Sequence, residues 1–333
     1  LGFKQWIRET ILGISIPQEY VCIELEGFQH SLSSFLTSKD GVDIVPVRSD
    51  ILLGYRPLIL AFPFERSSRE AAWLRDQEAI CLTMVNGGFH GNEMWRGFQS
   101  DKSAVARIVL RNIHVREFLD QTVVVFEGVH GEHKFLGSWH QFTNRLRERF
   151  RITRPDNYLE GNLYDQVRIG YARPRVISMI TVQDDDGKLN MFPTDLHGAV
   201  GEEGYAGSMR HGGKADSQIE KASVIALSNV RSDWFREAYA LGKNHMADPK
   251  PDSEFSLSSV RTKAFGIPLP ASVVRYRELR RIDSIDVGIH RIHFYEVVHE
   301  ARVEDMEDTL AHIHCFYAQW RKNRGVPSEY MIR

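Results

Sequence analysis

Residues 171–196, YARPRVISMITVQDDDGKLNMFPTDL, carry the clearest structural pattern in this chain. Residues 176–182 are apolar and rich in β-branched side chains, Asp184-Asp185-Asp186-Gly187 is turn chemistry, and residues 189–192 resume the apolar run. This pattern predicts a β-hairpin. A hairpin alone is common to any antiparallel domain. What adds to it is a set of polar side chains on and just after the second strand: Asn190, Thr194 and Asp195, placed around Pro193. Hydrogen-bonding groups gathered at a strand's end are where a barrel meets a ligand.

Outward from the hairpin, composition sets the bounds. A chain of 333 residues suffices for two domains of about 150 residues each. Hydrophobic content of 42% and charged content of 26% describe a soluble globular protein. A formal charge of −2 offers no electrostatic case for nucleic acid or an anionic membrane surface. No apolar run approaches the roughly 18 residues of a membrane span, and no signal-peptide pattern opens the chain, so a cytoplasmic location is expected. Cys22, Cys81 and Cys315 lie far apart in apolar runs and read as buried free thiols in a reducing compartment.

The order of predicted elements repeats. A helix at 3–12 and strands at 20–25, 32–37, 42–47 and 58–62 come first. A helix at 67–76, a strand at 80–85 and a Gly-rich loop holding Trp95 follow. Two long strands at 107–119 and 122–130 lead to a helix at 138–149. A polar linker spans 151–166. The second half then runs through the hairpin, a strand at 205–210, a short helix at 216–221, a strand at 223–229, a helix at 232–241, long strands at 273–285 and 289–299, and a closing helix at 306–322. Residues 33–50 parallel 177–196, residues 67–85 parallel 214–230, and residues 107–134 parallel 273–300. An internal duplication is expected, with domains at 1–150 and 151–333.

Arg173-Pro174, Thr181, Asp184, Gly187, Asn190 and Pro193 resemble the entry motif of the flavin reductase-like FMN-binding split barrels: RP, an apolar strand ending in Thr, D-x-x-G, then N-x-A-P. Ser208-Met209-Arg210 with Lys214-Ala215-Asp216-Ser217 resembles the family's strand and K-D-T element, with Ala215 inserted and Ser217 in place of Thr. Residues 223–230 resemble its E-F-V-V-N-V strand. Gly288-Ile289-His290 with Glu296-Val297-Val298 resembles its G-D-H…G-E-V-V ending, although Tyr295 replaces the usual Gly. The resemblance implies an α+β, mainly β fold of tandem split β-barrels. In this family FMN sits in the groove between two barrels, so two barrels in one chain would form an intrachain pseudo-dimer. Two such chains could also pair as a homodimer.

The resemblance further implies FMN, or FAD, as cofactor and NAD(P)H as co-substrate. The expected function is a flavin reductase-like oxidoreductase moving hydride or electrons between NAD(P)H and flavin or a downstream acceptor. Lys214, Ser217, Ser208 and Arg210 would hold the phosphate. Elementary chemistry agrees for the helix start after Gly212-Gly213, where free N–H groups, the helix dipole and a cation make an anion site; a plain cap with surface charges is the other reading. Thr181, Asn190 and Thr194 would bond the ribityl chain or ring, and His290 would stand near the reactive face as the catalytic residue. Asp43, where the second half has Asn190, marks the first barrel as degenerate.

Other patterns are weak. His312-x-His314-Cys315 in a helical pattern faces apart, so no metal site is expected. His130 and His133 read as a solvated turn. There is no Walker loop, GxGxxG, GxSxG or CxxC, which suits a flavoprotein because the flavin supplies the redox chemistry. The alternatives are a non-catalytic flavin carrier or sensor, and a split barrel that has lost flavin and serves in ligand binding or assembly.

Overall fold

The computed structural model describes residues 20–28, 30–38, 44–87, 104–149, 162–306, 308–326 and 331–332. The expected helix at 3–12, the loop around Trp95, residues Asp40, Gly41 and Asp43, and the linker up to residue 161 lie outside the described residues.

After β1 (Tyr20–Glu24), the first half builds β2 (Leu32–Ser38), β3 (Ile44–Pro46), β4 (Ile51–Tyr55), β5 (Leu58–Glu65), helix α1 (Arg69–Arg75), β6 (Ala79–Asn86), β7 (Ala104–Phe118) and β8 (Gln121–His133). Helices α2 (Ser138–Arg149) and α3 (Leu163–Gly170) follow, then β9 (Arg175–Val176). The second half builds β10 (Ser178–Gln183), β11 (Leu189–Thr194), β12 (His197–Val200), β13 (Gly204–Arg210), helix α4 (Lys214–Ala222), β14 (Val224–Val230), helix α5 (Phe235–Ala240) and the small hairpin β15 (Leu257–Arg261) and β16 (Pro268–Pro270). The long pair β17 (Val273–Val287) and β18 (His290–Arg302), then β19 (Leu310–His314) and helix α6 (Cys315–Lys322), complete it.

The first sheet runs β3-β2-β6-β7-β8-β5-β4 and the second β11-β10-β14-β17-β18-β13-β12, all neighbours antiparallel. Substituting each strand of one sheet by its counterpart reproduces the other order. The chain is thus a mainly β protein of two tandem split barrels. The three stretches that run parallel in sequence occupy equivalent strands.

The two sheets meet along one apolar seam. Ile51, Leu53, Ile59, Ala61, Val123 and Val125 from the first half pack with Val200, Ala206, Ile292 and Phe294 from the second, and the Phe118 and Phe294 rings lie 5.6 Å apart. At about 1.5–3 kcal/mol per fully buried large side chain, this seam outweighs any surface ion pair by an order of magnitude. The approach is close enough to favour glycine: a Cβ on Gly198 would stand 2.9 Å from Ile51, and one on Gly54 3.0 Å from the His290 ring. Arg116 bridges the halves to Asp283 at 2.7 Å.

Several expectations change. Residues 306–322 do not form one helix. Leu310–His314 is a strand inserted between β1 and β9, and the helix starts at Cys315. Apolar spacing there suits a helix, yet two partner strands satisfy its backbone and override it. Helix α6 then packs Phe316, Tyr317 and Trp320 into the first half's core with Phe28 and Phe135. The linker ends early, because α3 begins at Leu163 and buries Asp165 and Gln166. Residues 232–241 split into a 3-10 turn, Ser232–Trp234, and α5, with Ser232 giving no side-chain cap. His133 is buried, 3.4 Å from Asp165, whereas His130 stays exposed. Cys22 and Cys315 are buried, and Cys81 is half-buried. No described helix is long and apolar enough to cross a membrane.

Candidate functional site

The hairpin turn forms as its sequence dictates. Asp184 Oδ1 accepts the N–H groups of Asp186 (3.0 Å) and Lys188 (2.8 Å), and Gly187 takes φ +78°, a left-handed conformation that suits glycine. Across from it, β13 ends at Arg210, Gly212 turns at φ +74°, and Gly213 stands at the N-cap of α4 with no side-chain cap. Between the turn and the helix lies a cleft of 340 Å³, lined by Val182 to Asp185, Gly212, Gly213, Lys214, Ser217, Gln218, Lys221, Asp248 and Pro249.

Lys214 and Ser217 therefore line one cavity, beside the uncapped first turn of α4. Lys214 Nζ is 2.6 Å from Asp248 Oδ2, and Ser217 Oγ donates to Gly213 O at 3.3 Å. Asn190 lies beneath, 1% exposed; its Nδ2 donates to Gln218 Oε1 (2.7 Å) and to the carbonyls of Asn244 (2.9 Å) and Ala247 (3.3 Å). It supports the floor and does not reach the cavity. Asp216 turns inward, 2% exposed, with His293 Nε2 at 3.1 Å and Arg291 at 3.2 Å.

Ser208 and His290 form a second place, in the seam. His290 is 1% exposed, its Nε2 accepts the Tyr55 N–H at 3.3 Å, and its Nδ1 is 3.3 Å from Ser208 Oγ. An acceptor at Nε2 leaves the proton on Nδ1, donated to the serine. Burial, with Arg210 and His211 adding, lowers its pKa to about 4, so the ring is neutral. His290 clasps β18 to the first half; both nitrogens are engaged, and the ring is closed off from a bound substrate. Arg210, exposed, sits opposite it in register.

The remaining two stand apart. Thr181 is fully buried, and its hydroxyl finds no partner among the described residues. Thr194 Oγ1 accepts the Leu196 N–H at 3.3 Å. The seven candidate flavin contacts and His290 thus fall into a cleft pair with a supporting amide, a seam group and two isolated hydroxyls.

Sequence reasoning missed Gln218 and Asp248 at the cleft. It also missed a network around Asp195, whose Oδ2 lies 3.0 Å from Tyr171 Oη and 2.7 Å from His312 Nδ1; His312 Nε2 in turn bonds Tyr239 Oη. Burial works to raise the Asp195 pKa, but the bond from His312 outweighs it and the net direction is down. His312 and His314 lie on a strand, not a helix, and so share a face; His314 caps α6 by accepting the Phe316 N–H at 3.1 Å. No group of three or more His, Cys, Asp or Glu able to hold a metal occurs among the described residues.

No family model matches the chain, and no curated protein matches it. Solved structures to which it is similar include flavin reductases and an FMN-binding protein. The FMN-binding protein from Thermus thermophilus with bound p-hydroxybenzaldehyde is 16% identical over 40% of this chain and 74% of its own, with a TM-score of 0.36. The NADH:FAD oxidoreductase of Streptomyces globisporus is 16% identical over 47% of this chain and 93% of its own, at 0.40. The styrene monooxygenase flavin reductase of Pseudomonas putida is 12% identical over 44% and 90%, at 0.37.

Proposed function

We propose that this chain is a flavin-binding protein of the flavin reductase-like type, taking FMN at the second barrel and passing electrons between NAD(P)H and flavin or a downstream acceptor. The supporting observation is the cleft at the start of α4. Uncapped N–H groups, the Lys214 ammonium and the Ser217 hydroxyl converge there on a cavity within the range of small-molecule sites. That donor set suits a phosphate monoester. FMN, when bound, would supply the redox chemistry; the chain's own groups bind and orient it. Lys214 supplies countercharge, Ser217 a hydroxyl, and Asn190 with Gln218 holds the floor. The matching strand orders support an internal duplication with domains at 1–150 and 151–333.

Titrating the protein into FMN should quench flavin fluorescence and raise the melting temperature; a chain that does neither has no flavin function. Lys214→Ala should weaken FMN about tenfold and riboflavin less than twofold, because it removes the phosphate's countercharge alone. Equal losses for both ligands would refute the phosphate assignment.

A second reading, a non-catalytic flavin carrier or sensor, draws on His290. The one imidazole that the resemblance offers for chemistry is sealed in the seam. Anaerobic NADH or NADPH bleaching of bound flavin supports the reductase; persistent yellow colour supports the carrier.

A further inference from the structure

We infer that Asp248 is the residue that sets how strongly the cleft prefers a phosphorylated flavin over an unphosphorylated one, by competing with the phosphate for Lys214. The inference rests on the flavin reading of this cleft. Its geometry is direct: Asp248 Oδ2 lies 2.6 Å from Lys214 Nζ, and both side chains border the cavity.

Asp248 is not presented by a loose loop. The Ala247 carbonyl just before it accepts from Gln218 Nε2 at 2.9 Å and from Asn190 Nδ2 at 3.3 Å. Two residues on, Lys250 and Leu189 exchange both backbone hydrogen bonds at 2.7 Å. The backbone that carries Asp248 is therefore held at the rim by anchors on either side, with the side chain itself exposed. Asn190, expected to touch flavin, acts here by placing Asp248.

The charges around the cavity make the competition consequential. Asp184, Asp185 and Asp248 face Lys214 and Lys221, three carboxylates to two ammonium groups. A phosphate dianion entering beside α4 gains the helix start and Lys214, but meets Asp248 at the same ammonium. Either the Lys214–Asp248 pair breaks or the dianion sits next to a carboxylate. Both outcomes tax FMN and leave riboflavin, which carries no charge, untouched. The exposed pair itself contributes little to stability, so its removal should not disturb the fold.

The test compares FMN and riboflavin binding to the full chain and its Asp248→Asn variant by fluorescence quenching, at about 20 mM and about 200 mM salt. A dianion roughly 6 Å from a carboxylate in screened water predicts about a 3–10-fold gain in FMN affinity for the variant. Riboflavin should change less than twofold, and the FMN gain should shrink at the higher salt. The Lys214→Ala/Asp248→Asn double variant should recover part of the FMN affinity lost in Lys214→Ala, because a bare Asp248 no longer faces the phosphate. An unchanged FMN affinity in Asp248→Asn, or a parallel shift for riboflavin, would overturn the inference while leaving flavin binding intact. Failure of every variant to bind either flavin would remove the flavin reading, and this inference with it.

Discussion

Replacing Asp50 by asparagine is expected to lower the unfolding free energy by about 3–5 kcal/mol. Asp50 lies in the loop between β3 and β4, its side chain 2% exposed, and holds two guanidinium groups. Arg175 NH2 is 2.6 Å from Oδ2 and Arg173 bonds Oδ1. Burial would raise the carboxyl's pKa, but Arg175 and Arg173 overcome it and lower the value to about 2. Arg175 also donates to the Gly170 carbonyl from Nε (2.8 Å) and NH2 (2.6 Å), so the carboxylate ties the first half to the entry of the second at the end of α3. Asparagine keeps the shape and deletes the charge, leaving buried Arg175 without its carboxylate. Arg173, 19% exposed, relaxes toward water and limits the loss. Urea unfolding of the wild type, Asp50→Asn, Arg175→Met and the double variant gives the coupling. A loss under 1 kcal/mol for Asp50→Asn, or additive losses, would show that the cluster contributes no more than a surface ion pair.

Asp50 also illustrates what could be read in advance. The β10–β11 hairpin was legible because its information is local: alternating β-branched residues and an Asp-rich turn with Gly187 where φ is positive. The paired architecture was legible because the two halves repeat one order of elements. Strand β19 was not, since Leu310 and Ile313 continue the helical spacing of the residues after them and become a strand through β1, almost 300 residues earlier in the chain. Strands β4 and β12 escaped notice because each is short and interrupted by glycine, Gly54 and Gly198, where the two sheets meet. The site fared likewise. Lys214 and Ser217 follow from a helix start, a local feature. Asp248, which holds Lys214, is 34 residues away, and Tyr55, which occupies His290, is 235 residues away. Neither partner leaves a mark in spacing. The resemblance could place His290 on a strand end but not show that a second barrel in the same chain covers it.

That covering brings the second large effect: stability should fall steeply as pH drops from about 6.5 toward 4. Burial lowers the pKa of His290 to about 4, of His197 to about 4 and of His30 to about 3. Arg210 and His211 reinforce the shift at His290. At His197 Asp195 opposes it, while Arg277 adds to it. At His30 Arg173, Arg175 and Arg321 add to it against Asp50. His114 and His314 are lowered too. In the unfolded chain each ring takes a proton near 6.5, whereas the folded ring refuses it until far lower. Above 6.5 both states are neutral and stability is full. Below it the unfolded state binds the extra protons, so each such histidine removes up to about 1.4 kcal/mol per pH unit until its folded pKa is reached. Three of them acting from 6.5 to 4.5 amount to on the order of 5 kcal/mol after allowance for partial exposure. The Asp50 contribution is separable, being intact above 3.8 and lost only as pH approaches 2. Unfolding free energies from urea titrations at pH 7, 6, 5 and 4.5 should decline with a slope of about two protons, and His290→Asn should reduce that slope by up to one. A flat profile between pH 7 and 5 would mean that the seam opens to water and that the buried histidines hydrate in the folded state.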